Sequence, residues 1–367
     1  MTHSTSNSTV PLRRLSQKAP FGITPAGEPV EQIELANANG IRMEVLSIGG
    51  VIRSLHLPDR DGVFADVALG YDTLDGYLGD QAYLGAIVGR VANRIRAGRL
   101  TIDGRALSLA QNADGNHLHG GTLGFDKAVW SMAPFERDGA AGVVLSHVSP
   151  DGDEGYPGTL RAEVTYTLDD SDALRIDYLA TADAVTPVNL TQHSYFNLHG
   201  AGVGDILDHE IALIASRFTP VDRALIPTGE LRPVHGTPFD FTSPHRIGER
   251  IGEPDEQLRL ARGYDHNFVI DRTSARELDL AARLTESVSG RGVDVYTTEP
   301  GIQFYSGNFL DGSAVGKGGR PYEYRTGLAL ETQHFPDAPN HPDFPSIVLH
   351  PGATYRSSTV YRFVVRP

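Results

Sequence analysis

A chain of 367 residues with 32 basic against 46 acidic side chains carries a net charge of −14, which repels phosphate backbones and anionic lipid surfaces and argues against nucleic acid as a partner. Cysteine is absent, which removes disulfides, zinc thiolates, iron–sulfur clusters and cysteine nucleophiles, so any catalysis has to run on oxygen and nitrogen groups. A neutral ligand such as a sugar meets no electrostatic obstacle, and the length allows one large β domain or two ordinary ones.

The N-terminal segment "MTHSTSNSTVPLRRLSQKAP" is polar, with no apolar stretch for a signal peptide, and no later run reaches the length of a membrane span. A cytoplasmic setting without a membrane partner is expected. Residues 1–15, rich in Ser and Thr, are expected to form a disordered tail. No composition break, long linker or internal repeat follows, so residues 16–367 are expected to fold as a single domain.

Along that domain the dominant period is two. In "RAEVTYTL" Ala162, Val164, Tyr166 and Leu168 share one face, while Arg161, Glu163, Thr165 and Thr167 share the other. "LRIDYLA" repeats the pattern with Leu174, Ile176 and Tyr178 inward, and "TVYRFVV" near the C-terminus is a further candidate strand. Turn signals such as "PDRDG", "SPDGDEGYPG", "GKGG" and "HPGA" punctuate the chain at short intervals. Many strands joined by turns predict an all-β fold, a large antiparallel sandwich. Helical period is scarce; its best case, "ARELDLAARLTES" at 275–287, reads as a strand leading into the turn "SGRG".

Five stretches carry polar residues that core packing does not require. In "GRVANRIRAGRL" (89–100) the crowded arginines fit a solvated basic turn, and Asn93 and Arg94 equally fit a planar multi-donor platform for hydroxyls or carboxylates. In "GNHLHGG" (115–121) His117 and His119 alternate and are expected on one strand face, a weak metal-ligand pattern. Gly120 and Gly121 would let the backbone approach a ligand closely. "TPVNLTQHSYFNLHG" (186–200) sets His193 among strand formers, where a packed core histidine competes with a proton carrier. "GYDHNFVI" (263–270) places Asp265 and Asn267 before an apolar run, as a turn cap or as ligand contacts. Finally, Gln303 sits mid-strand in "TTEPGIQFYSGNFLDG", and Glu331 follows the apolar "LAL" and is expected to emerge at a strand end.

Together these words resemble the aldose 1-epimerase (galactose mutarotase) family over almost the whole chain. "GGVIRSLHLPDRDG" and "VALGYDTLDGYL" look like its N-terminal strands; "GRVANRI", "NHLHGG", "DEGYPG", "VNLTQHSYFNL", "DHNFV", "TTEPGIQFYSGNFLDG" and "LETQHFPDAPNHPDFPS" follow in the family's order. The family's middle word often reads Asn-His where this chain has Gln192-His193. The resemblance implies a galactose mutarotase-like sandwich with a sugar cleft. It further implies His193 as general acid and Glu331 as general base, with Asn93, Arg94, His119, Asp265 and Gln303 holding the sugar. His117 falls where the family varies.

The implied reaction interconverts α and β anomers of a free aldohexose or pentose by ring opening and reclosure. It needs two proton carriers at C1 and no redox, phosphoryl or covalent step, so no metal, nucleotide or nicotinamide cofactor is expected. A carboxylate beside His193, Asp265 being the candidate, would keep the imidazolium charged. Phe304 and Tyr305 are candidates to stack on the sugar, with core packing weighing at least equally for either. A non-catalytic sugar-binding or regulatory module on the same fold is the main alternative. A glycoside-processing enzyme would need two flanking carboxylates, and a metal hydrolase would build on His117 and His119. The preferred aldose, and whether the protein is a monomer or homodimer, are open at this level.

Overall fold

Period-two patterning sets the architecture. In the strand Leu160–Asp169 the even positions Leu160, Ala162, Val164, Tyr166 and Leu168 are buried while Arg161 and Glu163 face solvent. Its neighbours repeat the alternation in register, with Leu145 opposite Val164 and Val164 opposite Tyr178. The computed structural model describes residues 14–15, 17–79, 82–274 and 277–366. Residues 1–13 of the expected tail lie outside these; Arg14 pairs with Asp170 and Leu15 bridges to Leu35.

Three antiparallel sheets carry most of the strands. A five-stranded sheet runs in sequence order from Ala19–Ile23 to Phe64–Asp66. A nine-stranded sheet starts from Ser131–Arg137 and takes in Tyr355–Val365 at its centre. A six-stranded sheet sets Tyr195–Phe196, Leu328–Gln333, Gly301–Tyr305 and Asp265–Val269 side by side. One continuous core, including Leu55, Val143, Val164, Ile176, Val293, Phe304 and Leu330, joins all three.

The segment read as "ARELDLAARLTES" forms the strand Asp279–Thr285; residues 275 and 276 lie outside the described ones. "VALGYDTLDGYL" is not all strand: Leu74–Gly79 is a short helix with Leu74 and Tyr77 buried. No helix among the described residues is long and apolar enough to cross a membrane.

The six-stranded sheet positions the functional groups. Along it His266, Phe268, Ile302, Phe304 and Leu330 alternate with Asp265, Asn267, Gln303, Tyr305 and Glu331. Of the first set, Phe268, Ile302, Phe304 and Leu330 pack into the core. The second set therefore projects from the opposite face. Phe304, expected as a sugar platform, belongs to the core side: it is fully buried and stacks on Tyr264 at 5.2 Å. Period two with the adjacent Tyr305 forces them to opposite faces, so only Tyr305 remains on the cleft side.

Candidate active site

The cleft face opens on a cavity of about 690 Å³ lined by Asn93, Arg94, His119, His193, Asp265 and Glu331, with Tyr83, Tyr195 and Tyr305 as aromatic walls. Glu331 lies inside Leu328–Gln333 rather than at its end, and pairing on both sides of that strand fixes its direction. His193 sits between the short strands Thr191–Gln192 and Tyr195–Phe196. Its backbone N–H donates to Ala86 O at 2.8 Å, and its carbonyl accepts from Gly85 N–H at 3.0 Å. Gln192 braces the same turn: its Nε2 donates to Gly85 O at 2.6 Å and its Oε1 accepts from Ser194 N–H at 2.7 Å.

The two proton-carrier candidates meet: His193 Nε2 is 3.6 Å from Glu331 Oε2, and both residues are buried. The His193 ring stacks on Tyr195 at 5.0 Å and meets His119 edge-on at 5.1 Å. Burial disfavours charge on each group. It lowers the His193 imidazole to about 4. It raises the Glu331 carboxyl well above its ordinary value, with Asp265 adding like-charge repulsion. Burial thus opposes the standing imidazolium expected at His193. Asp265 does not keep that charge in place: it accepts from Gln303 Nε2 at 2.6 Å and lies 3.7 Å from Arg94.

His119 is fixed differently. Asn93 and His119 both have positive φ, 62° and 50°, and the two residues exchange contacts: His119 N–H donates to Asn93 O at 3.1 Å, and Asn93 N–H donates to His119 Nδ1 at 3.2 Å. An accepting Nδ1 leaves the ring hydrogen on Nε2. Burial lowers this imidazole well below 6.5, so His119 is a neutral donor. His119, His193 and Glu331 can each bring one ligand atom within 4.8 Å of the others. A metal on His119 Nε2 would, however, require the hydrogen to move to Nδ1, against the Asn93 amide. The donor set suits a neutral hydroxylated ligand better than a cation.

The left-handed turn at His119 also breaks the alternation expected of His117 and His119. The strand is only His117–Leu118, and His117 turns away, its Nδ1 against Ala110 O at 2.7 Å and its Nε2 against Tyr156 Oη at 2.5 Å. The two histidines do not form a metal pair. Gly120 serves a backbone rather than a ligand: a Cβ there would lie 1.8 Å from Gly89 O. Gln303 is buried beneath Asp265 and does not line the cavity.

Arg90 does not fit the solvated basic turn. It is 1% exposed, and its guanidinium donates to Pro157 O, Gly158 O, Thr186 Oγ1, Ser149 Oγ, Ser149 O and Pro150 O. It is a strut tying the Asn93 turn to "DEGYPG". Tyr83 and Tyr195 were missed from the sequence. Tyr195 had a signal, since it stands two residues after His193 and so shares its face; Tyr83, in a left-handed turn at φ 59°, had none.

A sequence profile of the family described as aldose 1-epimerase matches residues 31–362. The chain is 47% identical to the galactose mutarotase of Rattus norvegicus over 94% of this chain and 97% of that protein. It is 46% identical to that of Homo sapiens over 95% and 98%, and 38% identical to the aldose 1-epimerase of Escherichia coli K12 over 93% and 97%. Among solved structures, the aldose epimerase homologue of C. elegans superposes with a TM-score of 0.83 at 31% identity, covering 96% of this chain and all of that one. Galactose 1-epimerase of Lactobacillus acidophilus gives 0.84 at 28%, covering 96% and 99%. The cleft and its His193–Glu331 pair thus stand on a chain that belongs to the aldose 1-epimerase family.

Proposed function

We propose that this protein interconverts the α and β anomers of a free, uncharged aldose, with His193 and Glu331 as the two proton carriers. The observation that carries this is the 3.6 Å approach of His193 Nε2 to Glu331 Oε2 on the wall of a cavity roomy enough for a sugar ring. Ring opening removes the proton from the C1 hydroxyl, forms the C1 carbonyl, and sends the C1–O5 bond pair to the ring oxygen, which takes up a proton. Rotation about C1–C2 and the reverse steps give the other anomer and restore both carriers. Glu331 takes the hydroxyl proton and His193 protonates the ring oxygen.

The pair works with a single exchangeable proton. Burial by itself favours imidazole beside carboxylic acid; a sugar's oxygens, replacing lost hydration, favour its tautomer, imidazolium beside carboxylate. The preference set by burial also supports a second reading, with Glu331 protonating the ring oxygen and His193 taking the hydroxyl proton. A galactose complex separates the two by which group faces O5. Asn93, Arg94, His119 and Asp265 hold the hydroxyls, and Gln303 acts through Asp265. Residues 16–367 form one catalytic domain with no resident metal or cofactor. The net charge of −14 argues against nucleic-acid partners; a cytoplasmic monomer or homodimer is the accompanying proposal.

Polarimetry on freshly dissolved α-galactose, α-glucose and α-xylose tests the activity. His193→Gln and Glu331→Ala should each lose on the order of 10²- to 10⁴-fold in rate with the fold retained. Wild-type rates in either variant would remove that residue from the chemistry.

A further inference from the structure

The cleft face of the six-stranded sheet continues past the reacting groups. Asn267 stands opposite Gln303, and Gln303 opposite Glu331; one pleat along, Gly301 stands between Val269 and Gln333. Period two puts Asn267, Gln303, Glu331, Gly301 and Gln333 on one face, within cross-strand or diagonal reach of one another. Asn267, Gln303 and Gln333 are 1%, 2% and 0% exposed. Among the described residues, both side-chain polar atoms of Asn267 and of Gln333, together with Gln303 Oε1 and Glu331 Oε2, make no hydrogen bond. Buried polar groups in native proteins are almost always satisfied, and each one left unmade is costly. Gly301 leaves space that the Asn267 side chain itself enters: a Cβ there would lie 2.3 Å from Asn267 Oδ1 and 3.0 Å from the Phe335 ring.

We propose that Asn267, Gln303 and Gln333 hold ordered water between their side chains, and that this water donates a hydrogen bond to Glu331 Oε2. Uncharged amides offer donors and acceptors in equal measure, which suits water and not an ion. A water donor stabilises the carboxylate form of Glu331 and so opposes the burial that pushes its carboxyl upward. Removing the donor therefore raises the Glu331 titration further, and the activity limb governed by that group moves to higher pH.

The kinetic half of this rests on the proposed mutarotation; the water itself does not. In a high-resolution crystal structure of the wild type, water is expected within hydrogen-bonding distance of Asn267, Gln333 and Glu331. Gln333→Met keeps the side-chain length and removes the amide, and Asn267→Leu removes the other. Each should lose that water and move the limb up by about one pH unit, with kcat down about tenfold on that limb and KM for galactose little changed. Thermal unfolding confirms the fold of each variant, and the wild-type density decides the site if neither folds. Asn267 and Gln333 bonded directly to each other, or water present with an unmoved limb in both folded variants, overturns the proposal. A wild type with the water but no activity on any aldose would overturn the mutarotase reading and leave the water site standing.

Discussion

Replacing His193 by Gln should flatten part of the protein's pH–stability curve. His193 is buried and its imidazole is lowered from 6.5 to about 4 in the fold. Between those values the unfolded chain binds a proton that the folded chain refuses, so stability falls as pH falls. The contribution is fully present above 6.5, and the loss is complete only below about 4. With those two values the wild type loses about 2 kcal/mol from this group between pH 8 and pH 5, and about 3 kcal/mol by the time pH is below 4. Glutamine does not titrate, so His193→Gln lacks that slope, while Glu331 and the other buried histidines remain in both proteins.

Urea unfolding followed by the fluorescence of Trp130, the chain's one tryptophan and 1% exposed, reads the difference at pH 8 and pH 5. The wild type should lose about 2 kcal/mol more than the variant between pH 8 and pH 5, with equal m-values. Parallel losses in the two proteins, or a His193 imidazole titrating near 6.5 by NMR, would refute a neutral, desolvated His193 and with it the proton inventory of the pair.

Three further outcomes follow from the geometry. Gln303→Met removes the 2.6 Å bond to Asp265; a lost hydrogen bond to a charged group costs about 1.5–3 kcal/mol, expected as a rise in KM for galactose larger than any fall in kcat, measured by initial-rate polarimetry. Arg90→Met leaves the carbonyls of Ser149, Pro150, Pro157 and Gly158 without their buried donor, and a loss of at least about 3 kcal/mol is expected in denaturant unfolding. Gly120→Ala forces a Cβ to 1.8 Å from Gly89 O at φ 92°, whereas Gly115→Ala, at φ 77°, meets nothing within 4 Å. The first should abolish soluble expression or activity; the second should cost only about 1 kcal/mol in thermal unfolding.

Much of the site was legible as residue type and spacing. His193, Glu331, Asn93, Arg94, His119 and Asp265 do line one cavity, and Tyr195 could have been added from its two-residue offset to His193. Local pattern was carried too far at one place, and packing decided two readings that it left open. His117 and His119 share a face only if the strand continues, and a left-handed His119 ends it. Phe304 and Tyr305, being adjacent, cannot both face a ligand. Arg90 is a residue type that composition assigns to solvent, and it became a buried strut because six acceptors from segments distant in sequence surround it.

The chain by itself determined the faces. Period-two alternation is a local property of the backbone, so "RAEVTYTL" and "LRIDYLA" specify inward and outward residues before any partner is known. The lack of cysteine and the net charge are likewise properties of composition alone. Only the tertiary structure decided that His193 and Glu331 stand 3.6 Å apart and what charge they bear, because the separation depends on pairing between segments remote in sequence. Protonation depends on how completely the assembled sheets exclude water from two side chains that, in the unfolded chain, titrate as ordinary histidine and glutamate.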